Sequence, residues 1–309
     1  MIKAIFVIGP TASGKTSLGI ALAKKYNGEI ISADSMQIYK GIHIASAAPD
    51  TEEKEGIEHH LIEFLDTSCS YSVADYVKKA RECINDINSR GKLPIIVGGT
   101  GLYISALLDN IKFTEQQTDI DLRERLEMEF EELGAEKMLE KLREFDKETA
   151  DRLHPNNKRR IIRAFEVYYS TGITVSEQNL LSKQEKGNIN PLILGINFAD
   201  REKLYDRINR RVDIMLNRGL LEEAKQTYSK KPSNNGAFQA IGHKEFYPYF
   251  DGNCSFETAT ENLKMSTRRY AKRQITWFKR IENVNWLLAD CEDIKAKAIE
   301  LANNFLKEE

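Results

Sequence analysis

Residues Gly9, Pro10, Thr11, Ala12, Ser13, Gly14, Lys15 and Thr16 spell the pattern G-x-x-x-x-G-K-[S/T]. Glycines at these spacings let backbone N–H groups wrap a phosphate, the lysine bridges its oxygens, and the final hydroxyl ligates Mg²⁺. The stretch lies between an apolar run, Ala4–Ile8, and an amphipathic run over Lys15–Lys25 with Leu18, Ala21 and Leu22 on one face. That is the strand–loop–helix setting a phosphate-binding loop requires, so a di- or triphosphate is the expected ligand. Its fate is less determined. Nucleotide hydrolases hold their Mg²⁺ with an aspartate closing a second apolar strand. The nearest candidate, Asp34, follows only two apolar and two small residues. It could bind metal or serve as a general base. With Ser35, Met36 and Gln37 it offers acid, hydroxyl and amide together, which suits a nitrogenous acceptor.

A second glycine-rich stretch, Gly98-Gly99-Thr100-Gly101-Leu102-Tyr103, closes the apolar run Leu93–Val97. Glycines at a strand's carboxyl end let a ligand approach the backbone, and Thr100 would then point its hydroxyl into the cleft. The alternative is a turn that caps the next helix. Arg207 and Arg211 are four residues apart beside the stripe Leu204–Ile208–Val212 and can project together from one helix. Guanidinium groups suit a departing diphosphate, although singly each also fits a surface ion pair. His59, His60 and His154 lack ligand-spaced partners and read as structural.

These residues need a scaffold, and the apolar periodicity supplies one. Ala4–Ile8, Glu29–Ala33, Leu61–Leu65, Leu93–Val97 and Pro191–Phe198 read as strands, separated by helical stretches such as Tyr76–Ile87. Strands alternating with helices mean an α/β fold with a parallel sheet. From Leu122 to Tyr169 the apolar residues recur at steps of three and four, so 113–188 is expected to be an all-helical insertion between core segments 1–112 and 189–309. Everything periodic after Asp200 reads as helix.

The chain has 309 residues with 41 % hydrophobic and 30 % charged side chains, enough apolar content for a sizeable core. No apolar run approaches the ~20 residues that cross a bilayer. The first eight residues are too short for a signal peptide. Cys69, Cys83, Cys254 and Cys291 form no C-x-x-C pair and read as free core thiols of a reducing compartment, the cytosol. The net charge of −2 hides an asymmetry: residues 115–152 hold 14 acids and 7 bases, whereas 264–280 hold seven Lys/Arg and no acid. The second segment reads either as a polyanion surface or as a solvated helix face beside an acidic neighbour.

Six motifs in this order, GPTASGKT, ISADSMQIYKG, GGTGLYI, HPNNKRRIIRAFEV, AIGHKEF and KRQITWFKR, resemble the bacterial tRNA isopentenyltransferase (tRNA dimethylallyltransferase) family, from the first strand to at least Arg280. The resemblance implies a P-loop NTPase-like core with C-terminal helices that contact tRNA. The implied reaction is transfer of a dimethylallyl group from its diphosphate to the exocyclic amine of the adenosine just 3′ of the anticodon, with release of diphosphate and a need for Mg²⁺. The loop Gly9–Thr16 would then hold the prenyl diphosphate, with Thr16 on the metal, and Asp34 to Gln37 would meet the adenosine. Thr100 and Arg123 match positions beside that substrate, and Lys15 and Arg211 would neutralise the leaving diphosphate. The implied tRNA contacts are Arg159, Arg160, Ile161, Ile162 and Arg163; Gln239, Ala240, Ile241, Gly242, His243 and Lys244; and Lys272, Arg273, Gln274, Trp277, Lys279 and Arg280. Tyr270, Trp277 and Phe278 could support a displaced base by stacking. His243 departs from the family's usual tyrosine, and Asn157 from its usual aspartate. A cytoplasmic monomer is expected. A prenyltransferase acting on free adenine nucleotide, a P-loop kinase of small molecules and an RNA-binding ATPase switch share parts of this pattern; only the last has a use for the basic segment.

Overall fold

The structure, a computed structural model, describes residues 1–111, 119–184, 187–230 and 236–307. It divides into two compact units, Met1–Leu108 with Asn188–Glu309, and Asp109–Gly187. The boundary expected between 112 and 113 lies outside the described residues.

The first unit begins with β1 (Ile2–Ile8), α1 (Lys15–Tyr26), β2 (Gly28–Ser32), α2 (His43–Ser46), β3 (His59–His60), α3 (Val73–Ser89), β4 (Leu93–Gly98) and α4 (Gly101–Leu108). The second unit supplies α5 (Ile120–Phe145), α6 (Lys147–Arg152), α7 (Lys158–Thr171) and α8 (Val175–Gln184). The chain then returns through β5 (Ile189–Asn197), α9 (Arg201–Asn217), α10 (Leu220–Ser229), α11 (Tyr247–Phe250), α12 (Phe256–Phe278), β6 (Val284–Leu288) and α13 (Ile294–Lys307).

All pairings in the six-stranded sheet are parallel, in the order β3-β2-β4-β1-β5-β6. Successive strand residues face opposite sides, and in β1 every residue from Ala4 to Ile8 is fully buried, so both faces of the centre are covered. One face packs Ile5, Val7, Ile95, Leu194 and Ile196 against Leu18 and Leu22 of α1 and Ala298, Ala302 and Phe305 of α13. On α3, Tyr76, Val77, Ala80, Ile84 and Ile87 are buried along one stripe. That helix starts in a reciprocal cap between Ser72 and Asp75, which satisfies its first free amides.

Two sequence expectations are corrected here. Leu61 and Glu63 have positive φ (61° and 49°), incompatible with extended strand, so the third strand is His59–His60 and only Leu65 bridges Tyr39. The C-terminal part is not wholly helical, because β6 extends the sheet beyond β5. It is an edge strand in which only Leu287 is buried, so it lacks the continuous apolar run of the central strands. The cysteines are free but are not core residues: Cys69 and Cys291 are exposed, Cys83 and Cys254 half-buried.

The second unit is helical throughout its described elements. Leu126, Met138, Leu139, Leu142, Ile161, Ile162 and Phe165 form its core, and Phe145 stacks on Tyr168 at 4.1 Å. Within α5 the helical path breaks at Gly134, whose φ of 79° and ψ of 166° suit glycine alone. No described helix is long and apolar enough to cross a membrane.

Candidate active site

Parallel sheets leave a crevice outside the carboxyl ends of their strands, and the first unit has a cavity of 320 Å³ there. The loop after β1 contributes Thr11, the first turn of α1 contributes Lys15 and Thr16, and the turn after β2 contributes Asp34, Ser35, Met36 and Gln37. Helix α2 and the residue after it give Ala45, Ser46 and Ala47. Helix α9 gives Ile208, Arg211, Val212 and Met215, at steps that keep them on one face. Leu263, Thr267, Tyr270 and Gln274 line it from α12 at the same periodicity, together with Arg273.

The phosphate-binding loop is braced from two sides. Gln274 is 4 % exposed; its Oε1 accepts the Thr11 N–H (2.8 Å) and its Nε2 donates to the Gly99 carbonyl (2.9 Å), joining both glycine loops. Arg207 donates from Nε to the Ala12 carbonyl (2.9 Å). The two arginines of α9 therefore part company: Arg207 holds the loop, and Arg211 faces the cavity. The Lys15 ammonium donates to the Pro10 carbonyl (2.6 Å). Burial, then the neighbouring Arg211 cation, push its pKa down to about 7, with Asp34 opposing. Neither Lys15 nor Arg211 has a carboxylate within 4 Å among the described residues. Two basic side chains on one cavity wall, without an ion-pair partner among the described residues, suit an anion.

Asp34 starts a tight turn. Its Oδ1 accepts the N–H groups of Met36 (2.9 Å) and Gln37 (3.4 Å), while Oδ2 has no hydrogen-bond partner among the described residues. Thr100 fastens this turn, its Oγ1 accepting the Ser35 N–H at 3.0 Å, and Tyr270 lines the cavity beside it. Burial and the nearby Asp34 charge raise the Tyr270 phenol. The expectation that Thr100 points into the cleft is thus corrected: it does not line the cavity, and its hydroxyl positions Ser35. The second glycine loop is corrected as well. A Cβ at Gly98 would stand 2.2 Å from the Ala33 carbonyl, at Gly99 2.2 Å from Gln274, and at Gly101 2.5 Å from Trp277. Its glycines admit neighbouring protein, and of them only Gly98 reaches the cavity wall.

The expected tRNA contacts divide by burial. Ile161, Ile162, Ala240, Gly242, His243 and Gln274 are buried, so they do not form an outer surface, although Ala240 and Gln274 line the cavity. Trp277 is half-buried and donates from Nε1 to Ser105 Oγ (2.9 Å), a packing role. Arg159, Arg160, Arg163, Gln239, Lys272, Arg273, Lys279 and Arg280 are exposed, with Ile241 and Lys244 intermediate. Lys264, the first cation of the basic run, is neutralised by Asp213 of α9 (2.9 Å), so that run does meet an acid from another helix. Arg123 belongs to the second unit, where Glu127 (3.0 Å) and Glu166 (3.9 Å) engage it. Sequence reasoning missed the inner face of α12 and the roles of Arg207 and Tyr270; the i, i+4, i+7, i+11 spacing of Leu263, Thr267, Tyr270 and Gln274 was the available signal.

Among the described residues no cluster of three His, Cys, Asp or Glu could hold a metal ion. Mg²⁺ needs less, because it keeps several waters and binds through one or two protein oxygens plus substrate phosphates. The Thr16 hydroxyl and the Asp34 carboxylate, both on the cavity wall, fit that requirement.

The IPP transferase family profile matches residues 37–281. A tRNA dimethylallyltransferase of Acetivibrio thermocellus is 47 % identical, with 99 % of this chain and 98 % of the relative aligned. Among solved structures, the full-length tRNA isopentenylpyrophosphate transferase of Bacillus halodurans superposes with a TM-score of 0.73 at 42 % identity, covering 99 % of this chain and 96 % of its own. A eukaryotic dimethylallyltransferase acting on tRNA gives a TM-score of 0.85 at 33 % identity, over 100 % of this chain and 82 % of its own. A family profile over most of the chain and relatives aligned almost end to end at 42–47 % identity place the chain in the IPP transferase family.

Proposed function

We propose that this protein transfers a dimethylallyl group from dimethylallyl diphosphate to the exocyclic amine of the adenosine 3′-adjacent to the anticodon of a tRNA, in the cytoplasm. The observation that carries this reading is the pair of unpaired cations, Lys15 and Arg211, facing the same cavity as apolar Val212, Met215 and Leu263. A diphosphate joined to a short branched hydrocarbon satisfies both halves. An aspartate closing a second apolar strand, the hallmark of nucleotide hydrolysis, is missing from the sequence.

The residues divide the work by chemistry. Lys15, Arg211 and the loop amides stabilise the charge that grows on the leaving diphosphate as the C1–O bond breaks. Thr16, with Asp34 as the second candidate, would hold Mg²⁺, which when bound supplies further neutralisation of the diphosphate oxygens. The adenine amine then attacks C1. Its proton becomes acidic only as the C–N bond forms, so the Oδ2 oxygen of Asp34 can accept it at neutral pH. Thr100 acts on Asp34's turn as a positioning residue through Ser35. The adenosine must leave the anticodon stack to enter a cavity. Exposed Lys272, Arg273, Lys279 and Arg280 on α12 suit the tRNA backbone. So does the first turn of α7, where exposed Arg159 and Arg160 oppose the helix dipole and gain from an external anion.

The test is incubation with labelled dimethylallyl diphosphate, bulk tRNA and AMP as competing acceptor. Label in tRNA alone supports the proposal. Label in AMP returns the free-nucleotide reading, and turnover of ATP without either acceptor returns the kinase or switch.

A further inference from the structure

Glu223 of α10 is a carboxylate that the chemistry above does not use, and its side chain is 10 % exposed. Its Oε2 accepts the Ile44 N–H (2.7 Å), and its Oε1 accepts the Ala45 N–H (2.9 Å) and faces His243 Nε2 at 2.8 Å. A carboxylate can only accept, so Nε2 carries the ring proton. Burial raises the Glu223 carboxyl, but the hydrogen bonds from His243, Ile44 and Ala45 outweigh it and hold the group below its ordinary range. His243 is fully buried. The segment fastened here continues as Ala45–Ala47, a wall of the cavity. Its other side is tied to Gln37, whose Nε2 donates to the carbonyls of Ala47 (3.3 Å) and Ser46 (3.5 Å) while Oε1 accepts from Ser32 Oγ (2.8 Å). Gln37 sits in the turn that Asp34 caps.

We propose that Glu223 and His243 are positioning residues that fix the α2 wall of the cavity and, through Gln37, the turn that aims Asp34 at the acceptor amine. The proposal rests on assigning Asp34–Gln37 to the acceptor. It requires only a hydrogen-bond donor at position 243 that reaches Glu223, and a tyrosine hydroxyl is another such donor. In Glu223→Gln the new NH₂ must face one of three N–H donors, so at least one contact is lost and the wall loosens, while the phosphate-binding loop shares no contact with Glu223.

The experiment compares wild type, Glu223→Gln, His243→Phe and His243→Tyr. It measures single-turnover transfer at saturating tRNA and dimethylallyl diphosphate, the Kd for inorganic diphosphate, and Tm. The expected result is a loss of about 10- to 10²-fold in the single-turnover rate for Glu223→Gln and His243→Phe, the scale of an ångström-level misplacement. The Kd for diphosphate should stay within about twofold, and His243→Tyr should recover most of the rate. Wild-type rates in folded Glu223→Gln overturn the proposal, as does a rate loss matched by an equal loss of diphosphate affinity, which means general loosening. If Glu223→Gln does not fold, equal rates for His243→Phe and His243→Tyr overturn it, and recovery by Tyr alone supports it. No transfer by wild type would remove the functional reading and this proposal together; transfer by wild type with unaltered variants removes this proposal only.

Discussion

Strand β2 has a carboxylate near each end, and the two are opposites. At its start, Glu29 is 3 % exposed and saturated: Arg90 binds both its oxygens, Lys92 donates to Oε1 at 2.7 Å and His60 meets Oε2 at 2.7 Å. Just past its end, Asp34 spends one oxygen on its own turn and leaves the other on a cavity whose cations have no ion-pair partner. With Asp86 on Arg90, the first cluster sets two cations against two carboxylates, whereas the second sets Lys15 and Arg211 beside Asp34. The difference lies in satisfaction: a saturated group has reached its lowest free energy within the fold, whereas an unsatisfied one lowers its free energy only when a ligand arrives. The first cluster is therefore a stabilising one, and the second is the one the proposed chemistry uses.

The largest expected effect comes from removing a cation of the second cluster. Lys15→Ala should lower dimethylallyl transfer by ~10³-fold, as loss of a charge-stabilising group does, while far-UV circular dichroism and Tm stay near wild type. A folded variant that retains normal turnover would take the loop out of the mechanism. Asp34→Asn keeps the shape and removes the base, so its single-turnover rate should fall by ~10²-fold with tRNA affinity within a few-fold. A near-normal rate would make Asp34 positional.

Glu29→Gln breaks the first cluster and should do the reverse. Removing one member of a fully buried ion pair costs ~3–5 kcal/mol; because Arg90 and Lys92 are more than a third exposed, a loss of about 2 kcal/mol is expected by urea unfolding, with unchanged turnover in the folded fraction. The hydrogen bond from Arg90 is the largest influence holding the Glu29 carboxyl well below its ordinary range. A folded pKa below the unfolded value of about 4.3 contributes stability that is present above that value and lost as pH falls below it. The wild type should thus lose stability on acidification more steeply than Glu29→Gln, and parallel curves would contradict the assignment. The smallest effect concerns the exposed face of α12. Lys272→Ala with Lys279→Ala should flatten the slope of log tRNA affinity against log salt by roughly one to two units. Arg273 is left out because it also lines the cavity.

Local features were legible in the sequence, and features made by distant pairing were not. The loop from Gly9 to Thr16 is contiguous, so its pattern carries its geometry. The central strands are buried on both faces and announce themselves as apolar runs. Edge strand β6 is half-buried and spells Val-Asn-Trp-Leu-Leu, which no periodicity rule separates from its helical surroundings. The resemblance implies a tRNA contact at Gln274, between exposed cations; only the helix phase turns its side chain inward. The sequence motif at Thr100 does not tell whether its hydroxyl faces a cleft or Ser35, since that depends on a turn 65 residues away. Glu223 and His243 gave no signal beyond one unusual residue, because the pair exists only through tertiary contact.

The position of β1 in the sheet has a consequence for how the chain is made. Its partners are β4 on one side and β5 on the other, with Ile2 beside Ile189. A ribosome adding ~5–20 residues per second must therefore build the whole of Asp109–Gly187 before the central strand can gain its second neighbour. The helical unit, rich in short-range contacts, can fold during that interval, whereas the sheet closes late across a long loop. Until then the apolar run Ala4–Ile8 has an open edge, the state most exposed to aggregation. Slowed translation or early truncation should therefore harm the first unit far more than the second.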